Sequence, residues 1–227
     1  MQRQKNTPDT IQETIELAFA KIYQREIAII TCGRTDKGVH ARQFYFHIDL
    51  EENDLERLKY RLNRMLPSDI MTRSIKTVDD KFHARFSASS RTYQYFFHRH
   101  KDPFLQGLST WVEPELDMDA IRSGLKLLGN YEDFRSFCKT PDRHNTTICT
   151  IHDFSLKTDL GNERFMIEIK ANRFLKSMMR ILAYKLIELG SGALTLHAFE
   201  DLLREPRSID NLQAMGPDGL YLHKLEY

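Results

Sequence analysis

The segment 31-TCGRTDKGVHARQFYFHI-48 places Arg34, Asp36, Lys37 and His40 around Gly38, directly after the apolar run 27-IAII-30. Asp36 has the widest chemical scope of the four. In a partly buried site, an aspartate beside an arginine keeps its charge because the cation compensates for lost hydration. Such a carboxylate can serve as a base or a nucleophile, and nucleophilic carboxylates can break a bond at an anomeric carbon. The competing reading is structural, since an Asp in a glycine turn often only accepts hydrogen bonds from backbone amides. The turn by itself leaves both open.

Other polar residues are weaker candidates. Lys37, His40 and His83 read as structural or polyanion-facing, and 98-HRH-100 sets histidines at alternate strand positions without carboxylate partners. No metal is expected from that pattern. A metal-dependent hydrolase using Asp36, His40 and nearby histidines is nonetheless a rival reading, and a chelator separates it from metal-free chemistry. The cysteines, Cys32, Cys138 and Cys149, are odd in number and lack paired metal-ligand spacing, so reduced, buried thiols are expected.

Charge is balanced overall but unevenly spread. Net charge is +1, yet Lys81, Arg85, Arg91, Arg99 and Lys101 fall in one acid-free stretch, and Lys170, Arg173, Lys176, Arg180 and Lys185 fall in another. Acids concentrate in 49-DLEENDLE-56 and 113-EPELDMD-119. Two acid-free basic segments could line a polyanion groove, because phosphate binding depends on local charge; solvated faces are the alternative. The apolar runs are too short for a membrane span, and 1-MQRQKNTPDT-10 is too polar for a signal peptide, so a cytoplasmic location is expected.

The elements that must position these residues follow from periodicity. Thr10 to Glu13 has capping-box spacing, and Ile11, Ile15, Ala18, Phe19 and Ile22 recur at helical intervals. The run 27-IAII-30 reads as a short buried strand, with Phe44, Phe46 and Ile48 alternating as the returning strand, so Asp36 lies between two strands. Leu55, Leu58, Leu62, Met65 and Leu66, stopped by Pro67, predict a second helix, and the aromatic stretch 91-RTYQYFFH-98 predicts a strand. Further on, the spacing predicts helices at 119–129 (with Gly129 as a suitable stop), 174–190 and 196–204, and a strand at 165–169. With 227 residues, 41% of them apolar, the chain can bury one large core or two small ones. Helices interleaved with strands in both halves predict an α+β protein, divided as 1–88 and 89–227.

The string 33-GRTDKGVHA-41 resembles the GRTDxGVHA signature of the tRNA pseudouridine synthase A family. The strings 82-FHARFSASSRTYQY-95, 128-LGNYEDFRSF-137, 171-ANRFLKSMMR-180 and 216-GPDGLYLHKLEY-227 resemble family segments in the same order, and the likeness extends from Gln2 to Tyr227. The resemblance implies a pseudouridine synthase fold with two ferredoxin-like halves sharing a mostly antiparallel sheet, helices packed on one side. It implies isomerisation of uridine to pseudouridine in the tRNA anticodon stem-loop, at nucleotides 38 to 40, by a cytoplasmic homodimer without metal or cofactor. Asp36 matches the catalytic aspartate and Arg34 an arginine that contacts RNA and helps displace the target base. Tyr93 matches a tyrosine that packs on the uracil, Arg180 the basic residue that pairs with the aspartate, and Leu220 an apolar residue lining the base pocket.

Without the motifs, Tyr93 would read as a sheet-packing aromatic, Arg180 as a solvated helix residue and Leu220 as core. An RNA-binding module without catalysis would also suit two small α+β halves with basic and aromatic strands; retention of both Asp36 and Arg180 speaks for an enzyme. Family members begin with a strand carrying Tyr-x-Gly and then Trp-Gln-x-Gln, whereas this chain starts at 1-MQRQ-4, with Met1 in the place of the Trp. The family's first strand, central to the first half, is therefore expected to be missing. The segment 138-CKTPDRHNTTIC-149 resembles the family only loosely, and a grip on RNA is the suggested role.

Overall fold

The computed structural model describes residues 10–159, 161 and 164–227. In chain order the elements are α1 (Ile11–Tyr23), β1 (Ile30–Thr31), β2 (His40–Ala41), β3 (Phe46–His47), α2 (Leu55–Met65), β4 (Ser90–His98), β5 (Thr110–Trp111), α3 (Met118–Leu128), β6 (Ile151–Thr158), β7 (Arg164–Ala171), α4 (Met178–Gly190), α5 (Leu196–Arg204) and β8 (Leu220–Glu226). They form two units, Met1–Lys37 with Phe44–Ala88, and Gly38–Gln43 with Ser89–Tyr227. The expectation that the family's first strand is missing concerns the chain before Thr10 and lies outside the described residues.

In the first unit, the Thr10 side chain accepts the Glu13 N–H and starts α1, while Ile15, Ala18, Phe19 and Ile22 turn inward. Asp54 caps α2 in the same way, and Leu58 and Leu62 meet Phe19, Ile27 and Ile29 in one small core. The run 27-IAII-30 is half-buried rather than fully buried. Ile27 and Ile29 face the core, whereas Ile30 is exposed. β1 pairs antiparallel with β3 through Ile30 opposite His47 and Thr31 opposite Phe46.

The second unit is built on a six-stranded mixed sheet ordered β2-β8-β4-β7-β6, with β5 also on β4. β4 is its axis: β7 lies antiparallel along one edge, while β8 and then β5 follow each other along the other. Tyr95, Phe97, Phe165, Ile167, Ile169 and Leu220 pack with Ile121, Leu125 and Leu128 of α3 and Ile181, Leu182 and Leu186 of α4. The alternate strand positions thus supply the sheet's half of a core that amphipathic helices close.

Several predicted elements are shorter than expected: the strand expected at 27–30 is β1, Ile30–Thr31, and the returning strand of Phe44, Phe46 and Ile48 is β3, Phe46–His47. The helix expected at 174–190 begins at Met178, because Ser177 takes a left-handed conformation (φ 60°) that cannot continue a helix backwards. Gly129 does end α3, but at φ −73°, so no glycine-specific conformation is used there. β6 and β8 were not predicted from periodicity, and each contains or faces a register shift that breaks alternation.

At Gly219 the backbone passes so close to β4 that an added Cβ would lie 2.2 Å from the Phe96 carbonyl oxygen, and the Phe96 N–H donates to the Gly219 carbonyl at 2.7 Å. Gly219→Ala must push β8 away from β4. It is expected to lower stability by about 2 kcal/mol or more in urea unfolding, in line with overpacked sites.

Candidate active site

The turn that carries Asp36 rises from a buried anchor in the first unit. The Cys32 N–H donates to the Tyr45 carbonyl at 2.9 Å, and the Tyr45 N–H donates to Cys32 Sγ at 3.4 Å. Thr31 Oγ1 donates to the Gly33 carbonyl at 3.2 Å, tying the strand end to the start of the turn. From there Arg34 and Lys37 are exposed and Asp36 is half-buried. A carboxylate so placed can meet a ligand while its backbone is held by a core-anchored strand.

Gly38 opens the second unit at φ +85°, and a Cβ there would lie 2.9 Å from the Pro217 side chain. Both the torsion and the space require glycine. His40 donates from Nε2 to the Gly107 carbonyl at 2.7 Å and stacks on Tyr221, with centroids 4.5 Å apart. His83 Nδ1 accepts the N–H groups of Arg85 and Phe86. His98 is buried with Nδ1 against Ser109 Oγ, and burial lowers its basicity. Among the described residues no three His, Cys, Asp or Glu side chains are arranged to hold a metal ion. The three thiols are buried and unbridged, with burial pushing Cys149 up to about 12.

Tyr93, Arg180 and Leu220 all belong to the second unit. Tyr93 is half-buried on β4 between Ile169 of β7 and Leu222 of β8, and it meets Phe174 edge-on with centroids 4.8 Å apart. The late start of α4 leaves Phe174 outside the helix. Arg180, half-buried on the first turn of α4, donates from Nε to the Met215 carbonyl at 2.7 Å, and the Met215 N–H donates to the Arg180 carbonyl at 3.1 Å. Nε supplies one of five guanidinium N–H groups. Leu220 is 6% exposed and begins β8 opposite Tyr95.

Sequence reasoning assigned no role to Tyr95, which organises this neighbourhood. Its fully buried hydroxyl donates to the Gly216 carbonyl at 2.9 Å and accepts from Thr110 Oγ1 at 2.6 Å. Burial pushes this phenol up to about 12, so it stays a neutral donor. Tyr95 and Arg180 together hold segment 215–216, which leads to Leu220. The signal available in the sequence was the spacing of Tyr93, Tyr95 and Phe97, which puts all three on the core face of β4.

A family model described as tRNA pseudouridine synthase matches residues 126–227. The chain is 33% identical over 229 residues to tRNA pseudouridine synthase A of Porphyromonas gingivalis, covering all of this chain and 90% of that protein. It is 35% identical over 224 residues to tRNA pseudouridine synthase A of Staphylococcus aureus, covering 95% of this chain and 81% of the relative. With tRNA pseudouridine synthase A of Parabacteroides distasonis the identity is 38% over 196 residues, covering 86% and 77%.

The two acid-free basic segments are partly neutralised by acids from elsewhere in the second unit. Arg99 pairs with Glu115 at 3.6 Å, Lys185 with Glu188 at 2.7 Å, and Lys170 with Glu226; Arg91 donates to the Asn172 carbonyl at 3.0 Å. Glu226 also receives Lys224 and Ser90, and these donors, Lys170 first, hold its carboxyl at about 2. A depressed folded-state pKa stabilises the fold above the unfolded value near 4.3, and that gain disappears as pH falls towards 2. Wild type is therefore expected to exceed Glu226→Gln in urea midpoint by a constant margin above about pH 5, shrinking steadily below about pH 4.

Proposed function

The chain belongs to the tRNA pseudouridine synthase A family, and on that premise we propose that it isomerises uridine to pseudouridine in the anticodon stem-loop of tRNA, at nucleotides 38 to 40, with Asp36 as the catalytic residue. The observation that carries the reading is the likeness to these relatives over nearly the whole chain, with Asp36 half-buried at the end of an anchored strand.

The reaction conserves every atom of the base. The N1–C1′ bond breaks, the uracil turns until C5 faces C1′, a C5–C1′ bond forms, and the C5 proton departs as N1 gains one. No electrons are gained or lost overall, so the chemistry calls for positioning and charge rather than a redox group. Asp36 can start it by attack at C1′, by addition at C6, or by removing the C2′ proton, each a carboxylate reaction.

The target base must first leave its stack. Arg34, exposed beside Asp36, is suited to phosphate contact and to displacing the base. Tyr93 offers a stacking face, Leu220 an apolar wall that keeps water away, and Arg180 the cationic side chain of the set. In this reading the protein works as a cytoplasmic homodimer on tRNA. No helix among the described residues is long and apolar enough to cross a membrane.

Purified protein is expected to release tritium from C5-labelled uridine in unmodified tRNA, in the presence of EDTA as in its absence. Asp36→Asn, isosteric and uncharged, is expected to reduce release to background while tRNA binding persists. Release at the wild-type rate by the Asn variant would remove Asp36 from the mechanism.

A further inference from the structure

We propose that Glu16 of α1 is a positioning residue for Asp36, a role that rests on the isomerase reading above: with Gln12 it clamps the backbone of Ile29 and so sets the register of the strand leading into the catalytic turn. Glu16 Oε1 accepts the Ile29 N–H at 3.1 Å. Gln12 Nε2 donates to the Ile29 carbonyl at 3.3 Å and to Glu16 Oε1 at 2.8 Å. The two side chains are one helical turn apart, so both reach the same residue.

Together they give Ile29 one acceptor and one donor on the same side, the pair of bonds an antiparallel strand neighbour would supply. Parity along β1 explains why this is needed. Ile30 pairs with His47 and the Cys32 N–H reaches Tyr45, so the polar groups of Ile29 point away from β3. Ile29 is only 4% exposed, and a buried backbone group without a partner is costly.

The clamp has large leverage because the ladder it supports is short. β1 makes two register pairs with β3, Ile30 to His47 and Thr31 to Phe46. Ile27 and Ile29 resist a one-residue slip because it would turn both to solvent, but they do not prevent smaller sliding or fraying. A carboxylate acceptor makes a stronger bond to N–H than a neutral one, and here one oxygen receives both the Ile29 N–H and the Gln12 amide. From Ile29 the chain passes through β1 and the Cys32 anchor to Asp36, so motion at Ile29 is carried into the turn. Misplacement by about 1 Å can cost a hundredfold in rate.

The test combines steady-state tritium release, amide hydrogen exchange and thermal unfolding, with kinetics run below the transition of every variant. Glu16→Ala is expected to lower kcat about tenfold to a hundredfold with KM for tRNA within about twofold, and to speed exchange across residues 30–37. Glu16→Gln keeps an oxygen that can accept both bonds and is expected to restore kcat to within about threefold. Ile15→Val, a buried change on the same helix, serves as the stability reference and is expected to lower the melting temperature with kcat unchanged. Wild-type kcat in Glu16→Ala, a loss that Gln fails to restore, or an equal loss in Ile15→Val would overturn the proposal. Absence of tritium release from wild type would refute the isomerase reading instead; unchanged exchange across residues 30–37 in Glu16→Ala would then overturn the clamp independently.

Discussion

Ile29 is buried, and its N–H and C=O point away from β3, the strand paired with β1. A strand in that position stays in place only if both groups find partners. Gln12 and Glu16 provide them from a helix, so the support of the turn that carries Asp36 is a matter of two side chains as much as of sheet pairing. The same segment carries the buried Ile27 and Ile29, then the Cys32 anchor against Tyr45, and ends at the half-buried Asp36.

The second unit solves a similar problem on a larger sheet. Its strands are long enough to hold themselves, but segment 215–219 lies between ladders and is tied down by Tyr95, by Arg180 and by the close backbone passage at Gly219. Each tie joins a side chain or carbonyl to backbone across a long stretch of sequence. Such bonds fix the geometry of the segment from outside it.

How much was legible in the sequence depended on whether the signal was local. α1, α2 and α5 could be read because caps and apolar spacing lie within one segment, as with Thr10 and Glu13 or Thr195 and Ala198. β8 was obscured because its register shifts opposite Thr92 and Tyr93, so Leu220, Leu222 and Leu225 do not keep one alternation. The start of α4 was hidden by the left-handed Ser177, a type of residue with no strong preference for that conformation. At the site, the turn 33-GRTDKGVHA-41 left the role of Asp36 open until its resemblance to the family signature was considered, whereas Tyr95 was missed because its partners Thr110 and Gly216 are 15 and 121 residues away. Glu16 was invisible for a related reason: a glutamate on a helix is ordinary until the strand it serves is known. The partial neutralisation of the basic segments was not legible, since their acids, Glu115 and Glu226 among them, come from outside those segments.

A pseudouridine synthase rearranges uridine within tRNA without exchanging the base for another. Nucleoside analysis of an unmodified tRNA transcript after incubation with the purified chain tests it most directly. Pseudouridine is expected to appear in the anticodon arm, with an equal loss of uridine and no free uracil. A folded, tRNA-binding protein that leaves the transcript's uridines intact, or that releases free uracil, would contradict it.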